Sequence, residues 1–257
     1  MTILQAFIFG IIEGITEFLP ISSTGHLILT SNILRVSQSD FLKSFEIIIQ
    51  LGAIASAIFL YWKTLCNVEN IKKLIVAFIP TGVIGLLFYK IIKTYFLGNE
   101  HVVLWSLFLG GIVLIIFEIF HQEKEVFERG IKSISYKQAF TIGLFQSIAI
   151  IPGVSRSAAT IVGGLLLGLK RKTIVEFSFL LAVPTMLAAS GLDLVKNASS
   201  FSSSQFTVLT VGFVTSFIVA IISIKLLLQF IQKHNFIPFG IYRILIALLF
   251  WFFVLPR

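Results

Sequence analysis

Long uninterrupted runs of apolar residues dominate the chain and constrain its fold more than any other feature. A helix needs ~20 apolar residues to cross a bilayer, because the hydrocarbon core is ~30 Å thick. The runs do not alternate with period two, so they predict helices rather than the strands of a barrel. Six runs have the required length, at roughly 45–62, 74–92, 101–120, 174–195, 206–231 and 237–255. The sequence therefore predicts an all-α, polytopic membrane protein.

Composition agrees with this fold class and excludes others. Of the 257 residues, 57% are hydrophobic and 12% are charged, about half the charged share of a soluble domain. The formal net charge of +8 does not indicate nucleic-acid binding, because the Lys and Arg residues fall in short loops between apolar runs. The single cysteine, Cys66, leaves no disulfide framework and no cysteine-based metal site.

Two further regions, 3–34 and 136–169, are apolar but broken by Pro, Gly and Ser. Proline lacks an N–H, glycine relaxes φ, and serine hydroxyls satisfy the backbone groups that a break exposes. Non-helical backbone at membrane depth persists only inside protein or beside a wet cavity. Both regions are therefore predicted to be re-entrant helix–loop–helix hairpins.

The two broken regions also mark an internal repeat within a single membrane domain, 1–257. Ala6-Phe7 and Gly10 match Ala139-Phe140 and Gly143, and Glu13 falls opposite Gln146. Each hairpin is followed by three spans, which gives repeats of about 1–120 and 136–255. An odd number of spans inverts the second half relative to the first, an architecture most often found in transporters.

The loop charges predict the orientation. Lys and Arg are concentrated near 63–73, 121–137 and 170–172, which fall on one side of this topology. The positive-inside rule assigns that side to the cytoplasm. Both termini, and the opening of the first hairpin, are then predicted to face outward.

The first hairpin contains two acidic residues, Glu13 and Glu17, on one helix face. Burying either charge in hydrocarbon costs at least ~2.5 kcal/mol, so intramembrane acids are functional by default. A divalent cation between them is the natural partner, since hard cations prefer carboxylate oxygens. The alternative is that one carboxyl is protonated and acts as an acid. In the non-functional interpretation, both carboxylates are simply hydrated at the edge of the hairpin.

Polar residues follow directly at the turn of this hairpin: Ser22, Ser23, Thr24, Gly25 and His26. Each hydroxyl is a candidate nucleophile, phosphate ligand or helix cap. Gly25 lets backbone N–H groups approach an anion as the next helix begins. His26 is a candidate acid, base or nucleophile near neutral pH.

The second hairpin contributes Ser155, Arg156 and Ser157. Arg156 stands alone in an uncharged stretch, where only carboxylates, phosphate or backbone carbonyls are suitable partners. Its planar fork matches phosphate oxygens, and a structural Arg156–Glu ion pair is the alternative. If the hairpins meet, acids, a hydroxyl, a histidine and an anion clamp come together, as phosphoryl transfer requires.

Other polar residues within or beside the spans are weaker candidates, and interfacial or helix-pairing roles explain most of them. Gln50 is the one most expected to contact the site, because it lies near the outer end of a span beside the first hairpin. The remainder are Glu46, Glu176, Asp193, Lys225 and Arg243.

The stretches 13–26 and 152–157 resemble the two signatures of the bacterial undecaprenyl-diphosphatase family, of the bacitracin-resistance type. Similarity continues through 45–52, 176–184 and 236–243, so the resemblance covers essentially the whole chain. It implies an inner-membrane enzyme that converts undecaprenyl diphosphate to undecaprenyl phosphate. This reaction recycles the lipid carrier of peptidoglycan synthesis and raises bacitracin resistance. The resemblance also implies a re-entrant inverted repeat, Mg²⁺ or Ca²⁺ dependence, an outward-facing site and a possible homodimer.

Carried over by position, the resemblance implies that Glu13 and Glu17 hold the metal or share acid–base work. Ser23 becomes the leading nucleophile, His26 the acid–base group and Arg156 the diphosphate ligand. Attack by His26 or by water stays open as an alternative. The supporting substrate contacts are Ser22, Thr24, Gly25, Gln50, Ser155 and Ser157. The main alternative to an enzyme is a transporter or flippase for an anion or polyprenyl phosphate.

Overall fold

The computed structural model of the protein describes residues 1–96, 99–122, 130–197 and 203–253. Part of one predicted basic loop, 123–129, and the end of the last predicted span, 254–255, lie outside these ranges, as does the side chain of Asp193. The described residues form ten α-helices. They are α1 (Ile3–Thr16), α2 (Ser23–Ile33), α3 (Asp40–Leu65), α4 (Val68–Ile91), α5 (Glu100–Phe120), α6 (Tyr136–Ser147), α7 (Arg156–Leu166), α8 (Arg171–Asn197), α9 (Ser203–Phe230) and α10 (Ile237–Phe253).

Five of these helices, α3, α4, α5, α8 and α9, are long and apolar enough to cross a membrane. They coincide with five of the six predicted spans, and the all-α polytopic fold class is confirmed. The sixth predicted span forms α10, which has 17 described residues and belongs to the shorter apolar helices.

Both broken regions form the expected pairs of short helices, α1–α2 and α6–α7, and the members of each pair pack together. At 1.5 Å per residue, α1 is about 21 Å long and α2 about 16 Å, less than the ~30 Å hydrocarbon core. Each second helix begins after a serine with positive φ, 71° at Ser22 and 76° at Ser155. These hydroxyls cap the helices by accepting from Gly25 N and Ala158 N. The re-entrant path through a bilayer stays a prediction.

The two hairpins repeat one another in detail. A capping box begins each one, formed by Thr2 with Gln5 in the first and by Ser135 with Gln138 in the second. Each box glutamine also donates to the carbonyl that ends its own hairpin, at Leu34 and Leu167 respectively. Both hairpins thus share these local contacts, and the division of the chain into two repeats stays a prediction.

The first helix of each hairpin packs against a long helix from the other half of the chain. Hairpin helix α1 packs on α9, while its counterpart α6 packs on α4. Glycines permit both approaches: a Cβ at Gly10 would lie 2.7 Å from the Gly212 carbonyl, and one at Gly143 would meet that of Ala77. Small residues let helices approach closely inside membranes. The inverted orientation of the halves stays a prediction.

Candidate active site

The loops of the two hairpins meet inside the helix bundle. Ser157 at the start of α7 is fully buried and donates from Oγ to the Phe18 carbonyl, at 2.9 Å. Phe18 packs edge-on against Phe179 of α8, with ring centroids 5.1 Å apart. These contacts join the α1–α2 loop to the start of α7 and to α8, so residues far apart in the chain share one site.

Glu17 lies at the centre of this junction and is 7% exposed. Its Oε2 accepts a 2.7 Å hydrogen bond from Ser23 Oγ. Its Oε1 lies 3.4 Å from Arg156 Nη2. A hydroxyl that donates to a carboxylate has a proton acceptor already in place, which is the arrangement an activated nucleophile needs.

Arg156 is the first residue of α7, and only some of its guanidinium N–H groups have an acceptor in the described part of the protein. Nη1 donates to the Ser178 carbonyl of α8 at 2.7 Å, which fixes the plane of the fork. Nε is buried without an acceptor among the described residues. The group therefore retains donor capacity for an anion while it is paired with Glu17.

Glu13, one turn before Glu17, is completely buried. Neither of its carboxylate oxygens has a donor within reach in the described part of the chain. Leaving a buried carboxylate unpaired is costly, so Glu13 is suited either to bind a cation or to hold a proton shared with Glu17, its neighbour one turn away. Nowhere in the described ranges do three or more His, Cys, Asp or Glu side chains gather as a metal site.

A cavity of about 140 Å³ opens beside Glu17. It is lined by most of the residues singled out from sequence: Glu17, Ser22, Ser23, Thr24, Gln50, Ser155 and Arg156. Both α2 and α7 begin at its wall. Helix N-termini carry partial positive charge and unpaired N–H groups, so two of them favour a strongly anionic ligand here.

Four of the residues to which the family resemblance assigns a role do not line this cavity: Glu13, Gly25, His26 and Ser157. Gly25 faces α5, where a Cβ would lie 2.9 Å from Leu107 Cδ1. Ser157 joins the start of α7 to the α1–α2 loop. These positions place Gly25 and Ser157 in the framework of the site rather than on its surface.

His26 is held by both ring nitrogens. Its Nδ1 lies 2.7 Å from the Ser22 carbonyl, which only accepts, so Nδ1 carries the proton. In the neutral ring Nε2 then accepts from the Tyr242 hydroxyl, at 2.9 Å. The two rings are stacked, with centroids 5.5 Å apart. In this arrangement His26 orients Ser22, and its acid–base role stays a prediction.

Arg243 is the residue whose importance sequence reasoning underestimated. It is fully buried in α10 and donates to five backbone carbonyls at 2.9–3.3 Å. These belong to Pro20, Ser106, Leu107, Gly153 and Val154. Since a guanidinium has five N–H donors, its full capacity holds both loops against α5. The sequence feature that indicates its importance is the position of an arginine inside an apolar span.

Comparisons with known proteins show the family of the chain. The sequence profile of the family described as bacitracin resistance protein BacA matches residues 6–249. A protein of Sulfurihydrogenibium sp. (strain YO3AOP1) named undecaprenyl-diphosphatase is 53% identical, over 98% of this chain and 99% of its own. Proteins of the same name from Aquifex aeolicus (53%) and Persephonella marina (52%) are covered completely, over 99% of this chain. The chain therefore belongs to the BacA family of bacitracin resistance proteins.

Proposed function

We propose that this chain is an undecaprenyl-diphosphatase, which removes the terminal phosphate of undecaprenyl diphosphate within the membrane. The observation that carries the proposal is the Ser23–Glu17–Arg156 network at the start of two helices. It combines a hydroxyl, its proton acceptor and an anion ligand in one buried cavity. The names of the full-length relatives support the same reaction.

The reaction consumes one water and breaks the bond between the bridging oxygen and the terminal phosphorus. In the serine route, Glu17 takes the Ser23 proton while Oγ attacks that phosphorus. Undecaprenyl phosphate leaves, and water then releases phosphate from the serine. Arg156 and the N-termini of α2 and α7 would stabilise charge on the transferred group. Direct attack by water gives the same products without the covalent step.

The residues present also suit a divalent cation, Mg²⁺ or Ca²⁺. Glu13 offers two carboxylate oxygens that no described donor satisfies, and Glu17 lies one turn away. Carboxylates of this kind are ligands that both ions prefer. When bound, the cation would neutralise part of the charge on the diphosphate.

The first test is phosphate release from undecaprenyl diphosphate by purified protein in detergent. We expect release with Mg²⁺ or Ca²⁺, loss of release with EDTA, and recovery when the metal is restored. Activity unchanged by EDTA would remove the cation from the proposal. If well-folded protein releases no phosphate with either metal, the phosphatase assignment fails and the transporter alternative becomes the better one.

Ser23→Ala separates the serine route from its alternatives. If Ser23 attacks, the variant loses most of its turnover, and rapid quenching of wild type with ³²P-labelled substrate traps label on Ser23. Label on His26 would instead identify a phosphohistidine. Absence of trapped label, together with substantial Ser23→Ala activity, would favour water. Ser133→Ala, an exposed serine in a turn outside the site, is the matched control.

We propose that this multi-pass protein lies in the inner membrane as a homodimer. Its active site and both termini would face outward. The loop charges support this orientation. Cys66 is exposed between α3 and α4, on the predicted cytoplasmic side. We expect an impermeant maleimide to label it only after the membrane is permeabilised. In a Cys66→Ser background, Lys43→Cys should label without permeabilisation, and the reverse pattern would contradict this topology.

A further inference from the structure

A second, larger cavity lies away from the catalytic loops. Its volume is about 340 Å³, within the ~300–1,000 Å³ usual for small-molecule sites. It is formed where α3 ends, where α4 and α8 begin, and by the short turn Gly130–Ser133. Its charged lining residues are Lys63, Lys132 and Glu176, and its buried amide side chain is Asn70.

The inner part of this cavity offers acceptors. Asn70 is 4% exposed, and its Nδ2 donates to the Thr64 carbonyl. Its Oδ1 has no donor within the described residues. Helix capping does not account for it, because Asn67 already caps α4 by accepting from Glu69 N and Asn70 N. Half-buried Glu176 adds a carboxylate to the cavity lining, with Lys172 of the same helix as a nearby charge.

The outer part offers cations. Lys63 and Lys132 line the cavity and are exposed. The turn that carries Lys132 is anchored, because buried Lys73 donates to the Lys132 carbonyl at 2.9 Å. The cavity thus has acceptors inside and ammonium groups at its mouth. A ligand with only negative charge would be repelled by Glu176, and a ligand with only positive charge would be repelled by both lysines.

The position of the cavity indicates a lipid rather than a soluble compound. It lies at the ends of membrane-spanning helices, which is the depth of phospholipid head groups. Exposed Trp62 lies beside it, with Lys63 Nζ 5.7 Å from the centre of its ring. Tryptophan is enriched at this membrane–water boundary. Lysine at span ends also extends toward head groups.

We propose that this cavity binds the phosphoethanolamine head group of a membrane phospholipid. The amine is the outermost group of such a lipid, so it enters first and donates to Glu176 and Asn70 Oδ1. The phosphate follows and lies between Lys63 and Lys132. Phosphatidylcholine has no N–H to donate to the inner acceptors. Phosphatidylglycerol can donate from its hydroxyls, but it brings no positive charge to pair with Glu176. This site is independent of the phosphatase chemistry proposed for the first cavity.

Native mass spectrometry of the full chain tests the site with phosphatidylethanolamine, phosphatidylcholine and phosphatidylglycerol of matched acyl chains. We expect wild type to retain phosphatidylethanolamine most strongly. Glu176→Gln should reduce this retention about 10-fold, toward the phosphatidylcholine level, the scale of one hydrogen bond to a charged group. The double variant Lys63→Gln/Lys132→Gln should weaken retention of phosphatidylethanolamine and phosphatidylglycerol alike.

Lys137→Gln, an exposed lysine on the same predicted side but outside the cavity, is the control for net charge. Phosphate release by each variant checks folding without depending on lipid selectivity. Equal retention of phosphatidylcholine, preference for phosphatidylglycerol, or unchanged selectivity in Glu176→Gln would each overturn the proposal.

Discussion

Replacing Arg156 with alanine should lower turnover of undecaprenyl diphosphate by about 10²–10³-fold, the cost of removing one preorganised charge contact. Two losses combine in this variant. The diphosphate loses its planar donor, and Glu17 loses the cation 3.4 Å from its Oε1. Arg156 is expected to stabilise the charge that develops on the transferred phosphoryl group in the transition state more than it stabilises the bound substrate. Therefore kcat should fall more than KM rises. Phosphate release at saturating substrate measures the effect.

Three variants identify the cause of the loss. Arg156→Lys keeps the charge but cannot contact Glu17 and the Ser178 carbonyl together, so we expect only partial recovery. Glu17→Gln keeps the shape but removes the proton acceptor of Ser23, and should approach Arg156→Ala in severity. Lys137→Ala is the exposed control. Near-normal turnover in folded Arg156→Ala would remove the residue from the site.

Replacing Arg243 with methionine should destabilise the protein by at least ~3 kcal/mol. Each buried carbonyl left without a donor costs ~1–3 kcal/mol, and five lose the same donor. Both catalytic loops would be released from α5 together. We expect a lower unfolding temperature in detergent, and turnover that falls even well below that temperature, because the loops carry the cavity wall.

Gly110→Ala tests the same interaction without removing a charge, because its Cβ would collide with Arg243 Nη2. It should reproduce the phenotype in weaker form. Leu245→Ala, an exposed position on α10, is the matched control. If Arg243→Met unfolds at the wild-type temperature and retains activity, the carbonyl contacts are not what holds the loops.

Much of this protein was predictable because its signals are local. A run of ~20 apolar residues identifies a span by itself, and Pro, Gly and Ser within such a run mark a break. Glu17, Ser23 and Arg156 were recognisable as candidates because a charge or hydroxyl cluster is costly in that setting. Gln50 was expected at the site and lines its cavity.

Other features required the folded chain. Nothing near His26 in sequence indicates that its ring contacts Tyr242, which lies 216 residues away. Nor does the sequence reveal that Ser157, within the second signature, donates to the Phe18 carbonyl of the α1–α2 loop instead of lining the cavity. Hydrogen bonds between distant residues leave no periodicity in the chain, so neither role could be assigned in advance.

The amino-acid sequence alone predicts the helical membrane fold, the two broken segments and the set of polar residues placed inside them. These follow from the cost of exposing backbone or charge to hydrocarbon, which each segment meets on its own. Which polar groups face one another depends on how the helices pack. Arg243 illustrates the reason: its five acceptors come from three separate parts of the chain, and they converge only when the helices pack.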